Sequence, residues 1–288
     1  MKSFAEYKQD APNWITMADG EFYPDILAYA CELYKPVLIL FGQLLRTSES
    51  SEVLIRQISE VRQQWMRIQL CRIFRKYVSP QTPVEMLKKK SLTSMICEQY
   101  GRYFRKINLV QAVFDSRPMP DEALCAVLWE YKARGQKGYD LTEKFFNLFR
   151  REFPKYTIEG PERSGIDIQL RSVFPDYPND SRPVDFLIRN QDGIVCAVGL
   201  ARYDGDRGGA QEDDRTGGYV NCAKEIIDYA KKANIFLKVI FINDGPGLLL
   251  GSMWNDYSKL ESIDAECIRV ITLRMLSERI NNNWLEGK

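Results

Sequence analysis

The chain has 288 residues, 45% of them hydrophobic, 12% aromatic and 27% charged, with a formal net charge of +1. That is an ordinary globular composition, long enough for one large or two modest domains. It contains no histidine, which excludes Ser-His-Asp and Cys-His nucleophile systems, histidine-ligated zinc, HNH-type nucleases and histidine general bases; catalysis would fall to carboxylates, Lys, Tyr, Cys or Ser, or to a metal held by oxygen.

No window approaches the roughly 18 consecutive apolar residues of a spanning helix, and MKSFAEYKQD lacks a signal-peptide pattern. The expected location is cytoplasmic. Seven cysteines without a CxxC pair suggest neither a disulfide framework nor a zinc cluster. Charge is unevenly spread: between Glu52 and Lys106 twelve basic residues face four acids, a local +8, while acids gather at 176–214. A basic half beside an acidic pocket suits a polyanion bound near metal ions.

Residues 1–134 read as a mainly helical region. The apolar spacing predicts a helix over 24–45, a start at TSESSE with Ser48 or Ser50 as cap, and a second helix over 52–77 carrying Val53, Leu54, Ile58, Val61, Trp65, Ile68, Cys71 and Phe74. SPQTP at 79–83 ends it. Helices are predicted over about 83–107, with an interruption allowed, and over 120–132, separated by SRPMP.

From 135 to 288 the pattern becomes α/β. An amphipathic helix over 138–153 places Leu141, Phe145, Phe146 and Phe149 on one side. Strands are predicted at 165–173, 184–189 and 194–202, the last two joined through Asp192-Gly193, a strong hairpin signal. A helix at 218–233, strands at 237–244 and 267–273, and a helix at 274–285 complete the order. A mixed sheet flanked by helices satisfies it.

Metal-assisted phosphodiester hydrolysis needs acidic oxygens on fixed backbone, and two neighbouring strands can supply them. Pro183-Val184-Asp185 opens one strand, and the next runs through Ala197-Val198-Gly199-Leu200-Ala201-Arg202. With the preceding helix and the apolar strand ending in Asn243-Asp244-Gly245, this layout resembles the core of the PD-(D/E)XK nucleases, in particular the type II restriction endonucleases. The resemblance covers roughly residues 135–250.

It implies a restriction-endonuclease-like core, a sequence-specific, Mg²⁺-dependent cut of double-stranded DNA, and a homodimer that brings two sites to a palindrome. Residue by residue, Asp185 matches the metal-binding aspartate, and Glu143 stands where some members add a further acid. Gly199 occupies the place of the second Glu or Asp, and Ala201 that of the usual Lys, so the ligand set departs from the family. Three explanations stay open: an inactivated form in which Gly199→Glu would restore metal binding, recruitment of Asp204, Asp206 or Glu143 instead, or an ordinary strand end with a glycine bulge. A DNA-binding protein that keeps the scaffold without cutting is the alternative function.

RYDGDRGGAQEDDRTGGY (202–219) follows the second strand directly. Its glycines allow close backbone approach, and Arg202, Arg207, Gln211 and Arg215 have the geometry to read purine edges. Lys137, in Gln-Lys-Gly, is a further candidate for DNA-backbone contact. Against this stands an ordinary solvated loop.

Overall fold

A computed structural model of the chain describes residues 2–162, 165–205 and 211–288, with backbone alone for 133–136 and 211–216. The chain divides into two compact units, one of residues 20–133 and one of residues 1–19 together with 134–288. The first nineteen residues thus belong to the second unit, although the sequence reading grouped them with the helical one. The helix Glu122–Glu152 carries the chain from one unit into the other.

The helical unit is built around the helix Ile26–Thr47, whose Tyr34, Val37, Leu38, Phe41 and Leu45 are buried against Leu54, Ile55 and Ile58 and against Leu70, Cys71, Ile73 and Phe74. By length and composition this helix could cross a membrane, but its apolar stripe is used in the core, as in any amphipathic helix of a packed bundle. Ser50 caps the next helix, Ser51–Ser59, by accepting from Val53 N at 3.2 Å. The single helix expected over 52–77 is two, Ser51–Ser59 and Gln64–Tyr77. The first ends at Ser59 with Glu60 as its C-cap, Gln63 is extended ahead of the second, and between them the Val61 carbonyl accepts from Arg67 Nη1 at 2.8 Å. Short helices at Val84–Leu87 and Thr93–Tyr100 replace the expected 83–107 helix, and Ile107–Asp115 is a helix the spacing did not reveal.

The helices expected over 120–132 and 138–153 are one continuous helix of 31 residues. An isolated glycine inside a helix costs only about 1 kcal/mol. Apolar residues anchor both ends, with Cys125 and Leu128 in the helical core and Phe145, Phe146 and Phe149 in the α/β core.

The α/β unit holds a five-stranded mixed sheet in the order β1-β4-β5-β6-β7, and a separate two-stranded ladder β2-β3. The strands are β1 Thr157–Glu159, β2 Ile168–Gln169, β3 Pro183–Val184, β4 Phe186–Arg189, β5 Val195–Tyr203, β6 Lys238–Asp244 and β7 Ile268–Ile271. β1, β4 and β5 run antiparallel in sequence; β5, β6 and β7 are mutually parallel. The helices Gln211–Ala233 and Met253–Glu261 make the two crossovers, as parallel neighbours require.

β4 and β5 are joined as the Asp-Gly signal implies. Gly193 takes φ +76°, and Asn190 Oδ1 accepts from Asp192 N and Ile194 N. The strand expected over 165–173 shrinks to Ile168–Gln169, because the chain coils into the one-turn helix Leu170–Val173 and buries Leu170. The expected C-terminal helix breaks into Leu276–Arg279 and Asn282–Glu286, with Asn281 capping the latter through Trp284 N at 2.8 Å.

Candidate functional site

Asp185 sits at the one-residue break between β3 and β4. Its own N–H donates to the Gly199 carbonyl at 2.9 Å, and its Oδ2 accepts from the Ala201 N–H at 2.7 Å. The carboxylate therefore lies along β5 beside positions 199–201. Gly160, at φ +154°, permits the chain to pass beneath, since a Cβ there would stand 2.3 Å from the Asp185 carbonyl oxygen. Burial pushes the Asp185 carboxyl up to about 6; the Ala201 N–H opposes that rise, and the negative charge of Asp167 adds to it.

Asp167 reaches this place through the β2–β3 ladder. Ile168 pairs antiparallel with Val184, so the next position along the ladder sets Asp167 opposite Asp185. Sequence reading missed it. The GIDIQ stretch is visible as extended chain, but the partner strand that gives its aspartate meaning lies sixteen residues away.

At position 199 there is no space for a side chain. Gly199 pairs with Phe186, and a Cβ would stand 2.0 Å from Phe186 Cζ and 2.6 Å from Cε1 and Cε2. The Phe186 ring itself is held by Phe145 at 5.1 Å and Phe146 at 6.0 Å between centroids. Glycine here is the partner of an aromatic ring that covers it across the ladder, so any side chain at 199, Glu included, requires the Phe186 ring to move. Ala201 pairs with Ile242 in the parallel ladder and contributes its N–H to Asp185.

Further along, the carboxyl ends of β5 and β6 gather a second polar group. Arg202 Nε donates to Asp204 Oδ1 at 2.6 Å, and Tyr257 OH donates to Asp204 Oδ2 at 3.2 Å. Tyr219, whose ring packs on Phe241 and Tyr257 at 5.4 and 6.1 Å between centroids, has its hydroxyl pushed up to about 12, first by burial, against Arg202 and with the charges of Asp185 and Asp204. Asp244 accepts from Thr16 N at 2.6 Å, Gly245 N at 2.7 Å and Leu273 N at 2.9 Å. Burial raises its carboxyl above the ordinary range while those three N–H groups work to lower it. Asp244 is thus a clasp between the N-terminal segment, β6 and the chain after β7.

The remaining sequence candidates are distributed as follows. Arg202 belongs to β5, not to a loop, and is ion-paired with Asp204. Gln211 and Arg215 lie in the helix Gln211–Ala233, so the stretch 211–219 is helical where a recognition loop was expected; their side chains lie outside the described residues, as do Asp206 and Arg207 altogether. Lys137 passes Gly205, its Cδ 3.8 Å from where a Cβ at 205 would stand. Glu143 is half-buried on the helix Glu122–Glu152, three residues before Phe146. In the helical unit Lys90 pairs with Glu60 at 2.6 Å and Lys88 with Glu85, whereas Lys76, Arg102, Arg105 and Lys106 are exposed.

Among the described residues no group of three or more Cys, Asp or Glu side chains is gathered closely enough to hold a metal by itself. Mg²⁺ asks for less: it binds through one or two carboxylates and fills the rest of its octahedron with water and phosphate oxygens. Asp185 and, opposite it on the β2–β3 ladder, Asp167 are the pair of carboxylates in this unit to which that demand applies. The chain matches no family model, no curated protein and no solved structure.

Proposed function

We propose that this protein is a Mg²⁺-dependent endonuclease of double-stranded DNA, with a restriction-endonuclease-like core in its α/β unit. The observation that carries the reading is Asp185, a carboxylate at about 6 wedged between antiparallel strands and aimed along β5. The strand order supports it. The antiparallel β4 and β5, the crossover helix and the parallel β6 keep the order of the expected elements, while the expected 165–173 strand lies outside this sheet and β1 takes the edge beside β4.

In this reading Asp185 and Asp167 would hold the ion, which supplies Lewis-acid polarisation of a phosphodiester. The Ala201 N–H orients Asp185, leaving its second oxygen for that task. Arg202 is oriented by Asp204. Glu143 is the further acid on the helix that packs over Phe186. The exposed basic residues of the helical unit supply phosphate attraction. A symmetric dimer would bring two such sites to the two strands of a palindrome.

A second reading, a DNA-binding protein that does not cut, is favoured by one observation: the Phe186 ring fills the place where the family carries its second acid. Calorimetric titration of Mn²⁺ into the wild type and Asp185→Asn separates them. The endonuclease reading expects binding to the wild type that Asp185→Asn loses; equal heats from both proteins, or none from either, would favour the non-cleaving one.

A further inference from the structure

The helical unit contains a pocket of about 450 Å³ formed by residues 79–86 and 100–103. Its walls are Gln81, Thr82, Pro83, Met86, Tyr100 and Tyr103, together with Ser79; none of these is charged. The floor is stiff. Ser79 Oγ and Thr82 Oγ1 share a hydrogen bond of 2.7 Å, Thr82 N donates to the Ser79 carbonyl at 3.1 Å, and Pro80 lies within the turn with Pro83 directly after it. The two tyrosines stand open, Tyr103 at 57% exposure and Tyr100 at 37%.

Two guanidinium groups stand beside the pocket: that of Arg102 lies over the Tyr103 ring at 4.6 Å, and Arg75 Nε donates to the Pro80 carbonyl at 3.2 Å. The neighbouring acid Glu85 is paired with Lys88. Exposed tyrosines in an uncharged pocket, Tyr103 with one face taken by the Arg102 guanidinium, complement a flat ring tethered to phosphate.

We propose that this pocket receives a single nucleobase of a DNA strand, stacked on Tyr103 and Tyr100, with its flanking phosphates met by Arg102 and Arg75. The proposal rests on the DNA-binding part of the reading above and adds a second contact point, remote in sequence from Asp185. Gln81 at the edge carries both a donor and an acceptor for the base. The same chemistry could come from an unpaired strand or from a base turned out of a duplex.

The test uses the full-length protein in EDTA with oligonucleotides carrying 5-iododeoxyuridine, once as single strands and once as duplexes. After irradiation the attached residue is mapped by mass spectrometry, and affinity is followed by fluorescence anisotropy at low salt. Attachment at Tyr100 or Tyr103 is expected, with affinity falling about tenfold in Tyr103→Ala and retained in Tyr103→Phe. Attachment from single strands alone identifies an unpaired strand as the ligand; attachment from duplexes identifies an extruded base. DNA that binds but attaches elsewhere, with Tyr103→Ala unchanged, overturns the pocket and leaves the Asp185 reading intact. DNA that does not bind at all overturns both.

Discussion

Phe186 lies across the antiparallel ladder from Gly199, its Cζ 2.0 Å from where a Cβ at 199 would stand. The ring is wedged against Phe145 and Phe146 and cannot withdraw without disturbing the helix that carries them. Gly199→Ala is therefore expected to lower stability by about 1–3 kcal/mol, the usual cost of overpacking, and Gly199→Glu by more. Neither should create metal binding. Denaturant unfolding of Gly199→Ala, alone and combined with Phe186→Leu, checks this; a Gly199→Ala protein as stable as the wild type would contradict the packing account.

Asp185 should cost the fold stability at neutral pH. Its folded carboxyl titrates at about 6, above the unfolded value near 3.9, so between those values the folded state holds more protons than the unfolded one. Stability from this group is fully present below the unfolded value and is lost as pH rises through about 6. Asp185→Asn keeps an oxygen for the Ala201 N–H and removes the charge. It is expected to be more stable than the wild type by on the order of 2 kcal/mol at pH 7.5 and no more stable at pH 4. Thermal melts at the two pH values decide the matter, and a gain of equal size at both would remove burial of charge as its cause.

Glu225 on the crossover helix accepts from Arg182 Nε at 3.0 Å and Nη2 at 2.6 Å, from Tyr177 OH at 2.9 Å and from Asn179 Nδ2 at 3.3 Å. This holds the segment that leads into β3, and hence the approach to Asp185. Arg182, first among these partners, keeps the Glu225 carboxyl below the ordinary range. Its contribution is present above the unfolded value and disappears as pH falls through the lower folded one. Glu225→Gln should cost about 2 kcal/mol at pH 7, measured by urea unfolding, with the difference from wild type shrinking in acid.

Arg279 and Glu261 form a buried ion pair at 2.7 Å, and Glu261 also accepts from Phe4 N and Val270 N at 2.9 and 2.8 Å. Removing one partner strands the other charge in the core. Arg279→Met is expected to lose about 3–5 kcal/mol, and the double replacement Arg279→Met with Glu261→Gln to lose less than the two singles added. Additive losses in that cycle would argue that the pair is not coupled.

The parts of the fold visible in the sequence are those governed by local pattern. Asp192-Gly193 between apolar runs announces the β4–β5 hairpin, and the apolar run Val239-Ile240-Phe241-Ile242 announces the fully buried β6. Where tertiary packing decides, local signals mislead: glycines near 135–138 do not end a helix anchored at both ends, and no residue type announces the break at 60–63. The site divides along the same line. Asp185 is legible as an acid opening a strand. Asp167 and the meaning of Gly199 are not, because each depends on which residue stands opposite in a ladder, and one strand's sequence does not contain its register.

The central claim is tested most directly by incubating the wild type and Asp185→Asn with unmethylated phage DNA in Mg²⁺, Mn²⁺ or EDTA and resolving the products on a gel. The account predicts discrete fragments from the wild type in the presence of a divalent ion, and uncut DNA in EDTA or with Asp185→Asn. Intact DNA under every condition, from a wild type that binds the duplex, would contradict cleavage and leave a DNA-binding protein on this scaffold.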